Sequence, residues 1–151
     1  MCTLMLGNGT LDGIVGTATH ELGHSWFQHI LASNESKHPW MDEGFTSYIE
    51  DLAINEITTK KVLNPFEGAY KTYTKLVESG KEQPLSTHGD RYDENRSYSI
   101  ASYVKGELFL SQLNYLIGKE NTAKTLKRFY TDFKFKHPTP NDIKRTAERV
   151  S

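Results

Sequence analysis

Two histidines four residues apart, His20 and His24, enclose a glutamate, and a further glutamate, Glu43, follows after eighteen intervening residues. That spacing constrains the fold more than any other feature of the chain. On an α-helix of 3.6 residues per turn, positions 20 and 24 project from one face a turn apart, so both imidazoles can ligate one ion. Glu21 is rotated by about 100° from the first ligand and can stand beside the metal, acting on its water as a base without being a ligand. Glu43 lies in Trp40-Met41-Asp42-Glu43-Gly44-Phe45, an aromatic, semi-apolar box that rarely surrounds a solvated acid. Two neutral imidazoles and one carboxylate leave Zn²⁺ an open position, as a catalytic rather than structural zinc requires. The expected set is one Zn²⁺ on His20, His24 and Glu43.

Two zinc classes fail on neighbouring residues. A metzincin needs glycine at position 27 and histidine at position 30, where this chain has Phe27 and Ile30. The Asn-Glu-x-x-Ser-Asp ligand segment of thermolysin-like enzymes is a poor match to Asp42-Glu43-Gly44-Phe45-Thr46-Ser47.

The spacing, with His20-Glu21-Leu22-Gly23-His24-Ser25-Trp26-Phe27 and Trp40 to Phe45, resembles the aminopeptidase N family of gluzincins, which includes leukotriene hydrolase. An independent segment, Tyr98 to Gly106, is similar to that family's Tyr-x-Lys-Gly element. The resemblance implies that Tyr103 is the catalytic tyrosine stabilising the tetrahedral intermediate, and it places Tyr98 where some members carry a second active-site tyrosine. It also implies a peptide substrate and zinc-dependent removal of N-terminal residues by the full-length enzyme. A metallo-endopeptidase and a non-catalytic helical metal-binding scaffold are the alternatives. The family's Gly-x-Met-Glu-Asn segment, its saddle-like β-domain and its later helical domain have no counterpart in these residues. The chain is therefore expected to be a single helical catalytic core, residues 1–151, of a larger multidomain peptidase, with little activity alone. Ser25, Gln28 and His29 depart from the commoner His-Gln-Trp-Phe-Gly-Asn and suggest a divergent branch.

Glu50 lies seven residues after Glu43 and returns to its helical face. It can orient a ligand histidine, as metal-bound imidazoles usually require, or serve as an ordinary solvated acid. No role is expected for His29, about 140° round a helix from His24, or for His38, His88 and His137.

Composition fits one modest domain. The 151 residues are only 36% hydrophobic, a lean core that suits a piece of a larger protein. With 18 basic and 19 acidic residues the net charge is −1, so no basic field invites nucleic acid. No apolar stretch is long enough for a membrane span, and the lone cysteine, Cys2, reads as a small strand residue.

The pattern along the chain predicts an all-α fold with at most one short N-terminal strand over residues 2–6, which agrees with the thermolysin-like catalytic domain, without most of its β-part, that the resemblance implies. A long zinc helix is expected from Asp12 to about Ala32, and a second helix from Met41 to about Ile57 with Glu43 in its first turn. Asn64-Pro65-Phe66-Glu67 announces a helix ending near Gly80, and residues 81–95 read as a loop. Further helices are expected from Tyr98 to Ile117, stopping at Gly118, and from Glu120 to Phe135, with a last one capped by Thr139-Pro140-Asn141-Asp142. Phe129, Tyr130, Phe133 and Phe135 are expected to pack in the core.

Overall fold

The computed structural model describes residues 10–58 and 61–151. The described residues form helices joined by turns and loops, with two isolated bridges, Phe27 to Leu31 and Leu31 to Lys136, and no strand. The all-α expectation holds on them; the short strand expected over residues 2–6, and Cys2 with it, lies outside the described residues.

Helix α1, Leu11–Gly23, begins where the Thr10 hydroxyl accepts a hydrogen bond from the Gly13 amide at 3.1 Å. It ends well short of Ala32. The amides of Ser25 and Trp26 bond three residues back, to Leu22 and Gly23, and Gln28 takes a positive φ of 88°. The apolar residues at 22, 26, 27, 30 and 31 fit a helical period, but tertiary pairing overrides it. Beyond the helix, Ala32 N–H donates to Lys136 and Phe135 N–H to Ile30, which draws Leu31 into the core at 2% exposure.

Helix α2, Pro39–Ile57, starts with proline at its first position and buries Trp40, Met41, Phe45 and Tyr48. The Asn64 side chain accepts from the Phe66 amide at 3.1 Å and leads into α3, Glu67–Glu78, which runs out into Gly80 at φ 69°. The following loop holds one 3₁₀ turn, Gly89–Arg91.

Helix α4, Asn95–Ser99, continues through a π-helical segment, Ile100–Lys105, into α5, Gly106–Phe133. Gly118 (φ 81°, ψ 158°) breaks the helical path within α5, which is the interruption the sequence pattern anticipates there. Helix α6, Pro140–Val150, opens with a reciprocal cap between Thr139 and Asp142.

Phe45 is the centre of the core. Its ring lies 5.2 Å from Phe27, 5.9 Å from Trp40 and 6.0 Å from Phe129, so the segment leaving α1, α2 and α5 meet there. Phe129 is buried, and Tyr130 and Phe133 pack against it. Phe135 does not: it lies past the end of α5 at φ 63°, 80% exposed, because its backbone is committed to Ile30.

Glycine sets the closest crossing. A Cβ on Gly44 would lie 2.5 Å from the Gly106 Cα, and one on Gly106 would lie 3.0 Å from the Trp40 Cβ. Backbone meets backbone where α2 crosses the start of α5. Gly44→Ala is therefore expected to cost about 3 kcal/mol, the upper end of overpacking penalties, measured by denaturant unfolding; a cost near zero would mean the crossing can relax.

Candidate metal centre

The end of α1 presents His20 and His24 toward the first turns of α2. His24 is the C-cap residue but keeps αR dihedrals, so its relation to His20 stays helical although the helix stops. Their rings meet edge to face with centroids 4.8 Å apart. Glu43 Oε2 lies 3.1 Å from His20 Nε2 and 3.4 Å from His24 Nε2. One ligand atom from each of the three residues falls within 4.8 Å of the others, a spacing one cation can bridge.

The outward nitrogens are both engaged. His20 Nδ1 lies 2.9 Å from Glu50 Oε2, while His24 Nδ1 lies 2.8 Å from Asp42 Oδ1 and 3.3 Å from the Thr46 hydroxyl. A carboxylate at Nδ1 favours the tautomer with its proton there, which turns the Nε2 lone pair inward. Two imidazole nitrogens and one carboxylate oxygen, each imidazole backed by a carboxylate, match the donor chemistry that Zn²⁺ takes in catalytic sites. The residues fit the metal.

Asp42 and Thr46 are the partners that sequence reasoning missed. Asp42 is 6% exposed and immediately precedes the candidate ligand Glu43; an acid inside an apolar box is the signal that could have found it. Thr46 is fully buried, and its methyl would sit 2.9 Å from a Cβ on Gly23, so the motif glycine lets α1 close onto α2 beside the ligands.

Tyr103 stacks on His20 at 5.7 Å with an interplanar angle of 19°, which sets its hydroxyl beside the Glu43 carboxylate. Tyr98 lies against Tyr92 edge to face and lines a cavity that reaches Glu43. In an α-helix residues five apart diverge. The π-helical stretch, with its i to i+5 bonds, widens the turn and brings both tyrosines toward the same carboxylates. That segment was expected to be ordinary α-helix. Its lysine, Lys105, bonds Glu82 and the Gln83 carbonyl (2.9 Å), tying the loop before α4 to the tyrosine-bearing segment.

Glu21 follows His20 on α1 and is half-buried. His29 sits off the helix end rather than on it, its Nδ1 donating to the His24 carbonyl at 2.6 Å. His38 is the N-cap residue of α2, His88 accepts from the Asp90 amide, and His137 donates to the Ala32 carbonyl. None of these four belongs to the ligand-spaced set among the described residues.

Charge is concentrated here. Burial opposes a proton on His20, but hydrogen bonds to Glu43 and Glu50 outweigh it and raise its pKa to about 9. Asp42, then Glu43, raise His24 to about 10. Burial works against the Glu43 charge, yet the bonds from His20, His24 and Tyr103 hold it near 2. Burial and the neighbouring Glu43 push the Tyr103 hydroxyl well up, so it stays neutral and a donor.

Residues 9–151 match the Peptidase family M1 domain. The chain belongs to peptidase family M1. Leucine aminopeptidase 2 of Emericella nidulans is 30% identical over 87% of this chain, and aminopeptidase B of Rattus norvegicus is 30% identical over 93%. A leukotriene A-4 hydrolase homolog of Botryotinia fuckeliana is 25% identical over 87%. The chain spans about a fifth of the length of these relatives, 22%, 22% and 21% respectively. An M1 zinc metallopeptidase from Deinococcus radiodurans shares the fold with a TM-score of 0.72 at 18% identity, over 89% of this chain and 29% of that one. The helical bundle is thus a helical part of the M1 catalytic domain.

Two measurements check the centre. Asp42→Asn and Glu50→Gln each loosen an imidazole without removing a ligand, so Zn²⁺ affinity measured by competition with a chelating dye is expected to fall about 10- to 100-fold. A drop as complete as that of His20→Ala would make either residue a ligand. In the metal-free protein, groups whose pKa is raised on folding stabilise it below their unfolded pKa and lose that contribution as pH rises through the folded value. His20 and His24 do so between 6.5 and about 9 to 10. Glu107, buried against Asp51 and raised to about 9, acts in the same direction. Unfolding free energy of chelator-treated protein is therefore expected to decline from pH 6.5 to 9; a flat or rising profile would contradict these ion pairs.

Proposed function

We propose that this chain is the zinc-binding core of a peptidase that removes N-terminal residues from peptides, with one Zn²⁺ on His20, His24 and Glu43. The observation that carries the reading is the convergence of two Nε2 atoms and one carboxylate oxygen, each imidazole backed by a carboxylate, with a tyrosine hydroxyl reaching the same glutamate. The aminopeptidase names of relatives at 30% identity support the exopeptidase form. When bound, Zn²⁺ acts as a Lewis acid that makes a water nucleophilic near neutral pH and polarises the scissile carbonyl.

The chain's own residues do the rest. Glu21, next to the first ligand but not in the ligand set, takes a proton from the attacking water and passes it to the leaving amine. Tyr103 turns its hydroxyl from Glu43 to the oxygen of the tetrahedral species, where a well-placed neutral donor is worth about 3 kcal/mol. Asp42, Thr46 and Glu50 hold the imidazoles so that no reorganisation accompanies the charge shift. Glu43, held ionised by its three partners, is a ligand without needing to lose a proton at neutral pH.

In the full-length enzyme, Glu21→Gln is expected to lower kcat by about 10³-fold while metal analysis still finds one zinc per chain. Full activity in that variant would remove Glu21 as the base. Tyr103→Phe is expected to lower kcat by about 10²-fold with little change in KM; an effect confined to KM would make the hydroxyl a substrate-binding group. Free and N-blocked peptides decide the end specificity: hydrolysis of only the free ones supports the proposal, and equal hydrolysis of both supports endopeptidase action.

A further inference from the structure

A cavity of about 370 Å³ opens beside the ligand set, with Glu43 and Asp42 in its wall. That volume is enough for one long side chain and too small for a folded partner. Its chemistry is one-sided. Glu35, Asp90 and Glu94 complete a lining of five carboxylates, and among the described residues no lysine or arginine borders it.

The carboxylates differ in how far they are committed. Asp42 is spent on His24 and Glu43 on the ligand set, and Glu94 pairs with Lys81. Glu35 accepts one bond, from Gln28 at 3.3 Å, and is exposed; Asp90 is 89% exposed, with His88 no nearer than 3.8 Å. The last two therefore retain most of their capacity to accept.

They also lie on segments that are joined to one another. The Gly89 amide donates to the Ser36 carbonyl at 2.9 Å, which pins the 3₁₀ turn carrying Asp90 to the loop carrying Glu35. A Cβ on Gly89 would fall 3.0 Å from that carbonyl, so the approach needs glycine. The third wall is aromatic. Tyr92 and Tyr98 meet edge to face at 5.6 Å, and both line the cavity. Carboxylates joined to aromatic rings form a recognisable setting for an alkyl stem ending in a cation, which the rings cover while the acids take the charge.

We propose that this cavity selects a cationic side chain, lysine or arginine, on a residue flanking the scissile bond, with Glu35 and Asp90 as the specificity-determining acceptors and Tyr92 and Tyr98 as the walls. The proposal rests on the peptidase reading, since the cavity gains its meaning from ending at Glu43. It assigns a different preference from that in the name of the leucine aminopeptidases among the relatives.

The test uses the zinc-loaded full-length enzyme and aminoacyl arylamides of arginine and citrulline, which match in shape and differ in charge. The arginine substrate is expected to exceed citrulline in kcat/KM by about tenfold, the sum of two exposed ion pairs, and the ratio is expected to shrink with added salt. In the double variant Glu35→Gln, Asp90→Asn the ratio is expected to fall toward one. A ratio near one in the unaltered enzyme, or a tenfold ratio that survives in the double variant, overturns the proposal. Calorimetry with argininamide and citrullinamide on Glu21→Gln protein separates the two readings. If no substrate turns over, the peptidase reading fails, and binding then decides the cavity alone: a charge preference abolished by the double variant upholds it, and its absence overturns it.

Discussion

Everything at the candidate metal centre depends on one helix supplying both a candidate ligand and the groups that aim the two histidines. Asp42, Glu43, Thr46 and Glu50 all belong to α2, and between them they hold both nitrogens of His20 and His24. Asp42 and Glu43 are neighbours on the first turn, so they reach past one another to opposite sides of the His24 ring. Glu50, two turns on, reaches the far side of His20. The orientation of two imidazoles at the end of α1 is therefore set by the register of a single neighbouring helix, and a shift of either helix would disturb all five contacts at once.

That register is enforced by small residues. Gly23 admits the Thr46 methyl where α1 meets α2, and Gly44 admits Gly106 where α2 meets α5. Each lies within one residue of a functional side chain: Gly23 beside His24, and Gly44 beside Glu43. A third motif glycine, Gly106, follows the π-helical segment that carries Tyr103. The motifs combine donor residues with the backbone clearance needed to bring those donors together, so chemistry and packing occupy adjacent positions. The buried Phe45, one residue beyond Gly44, anchors the same turn in the core.

The cap at Thr139 and the break at Gly118 were legible because they arise from local chemistry: a side-chain oxygen near free amides, or a glycine able to take positive φ. The early end of α1 was not legible. Residues 22–31 carry a periodic apolar pattern, and what ends the helix is pairing with residues 135 and 136, more than a hundred positions away. The burial of Phe135 failed for the same reason, since its backbone is fixed by that pairing while its side chain is left outside.

By itself the sequence determined the family, because the three motifs lie within one short chain, and it named a candidate donor set, because four-residue spacing on a helix puts His20 and His24 on one face. Tertiary structure decided which acids stand behind the imidazoles, why Tyr98 and Tyr103 reach the same carboxylates, and that a negatively lined cavity adjoins Glu43. Those features come from helix crossings, a widened helical turn and two loops joined by one backbone hydrogen bond. None has a periodic signature, because each depends on the distance between segments remote in the chain.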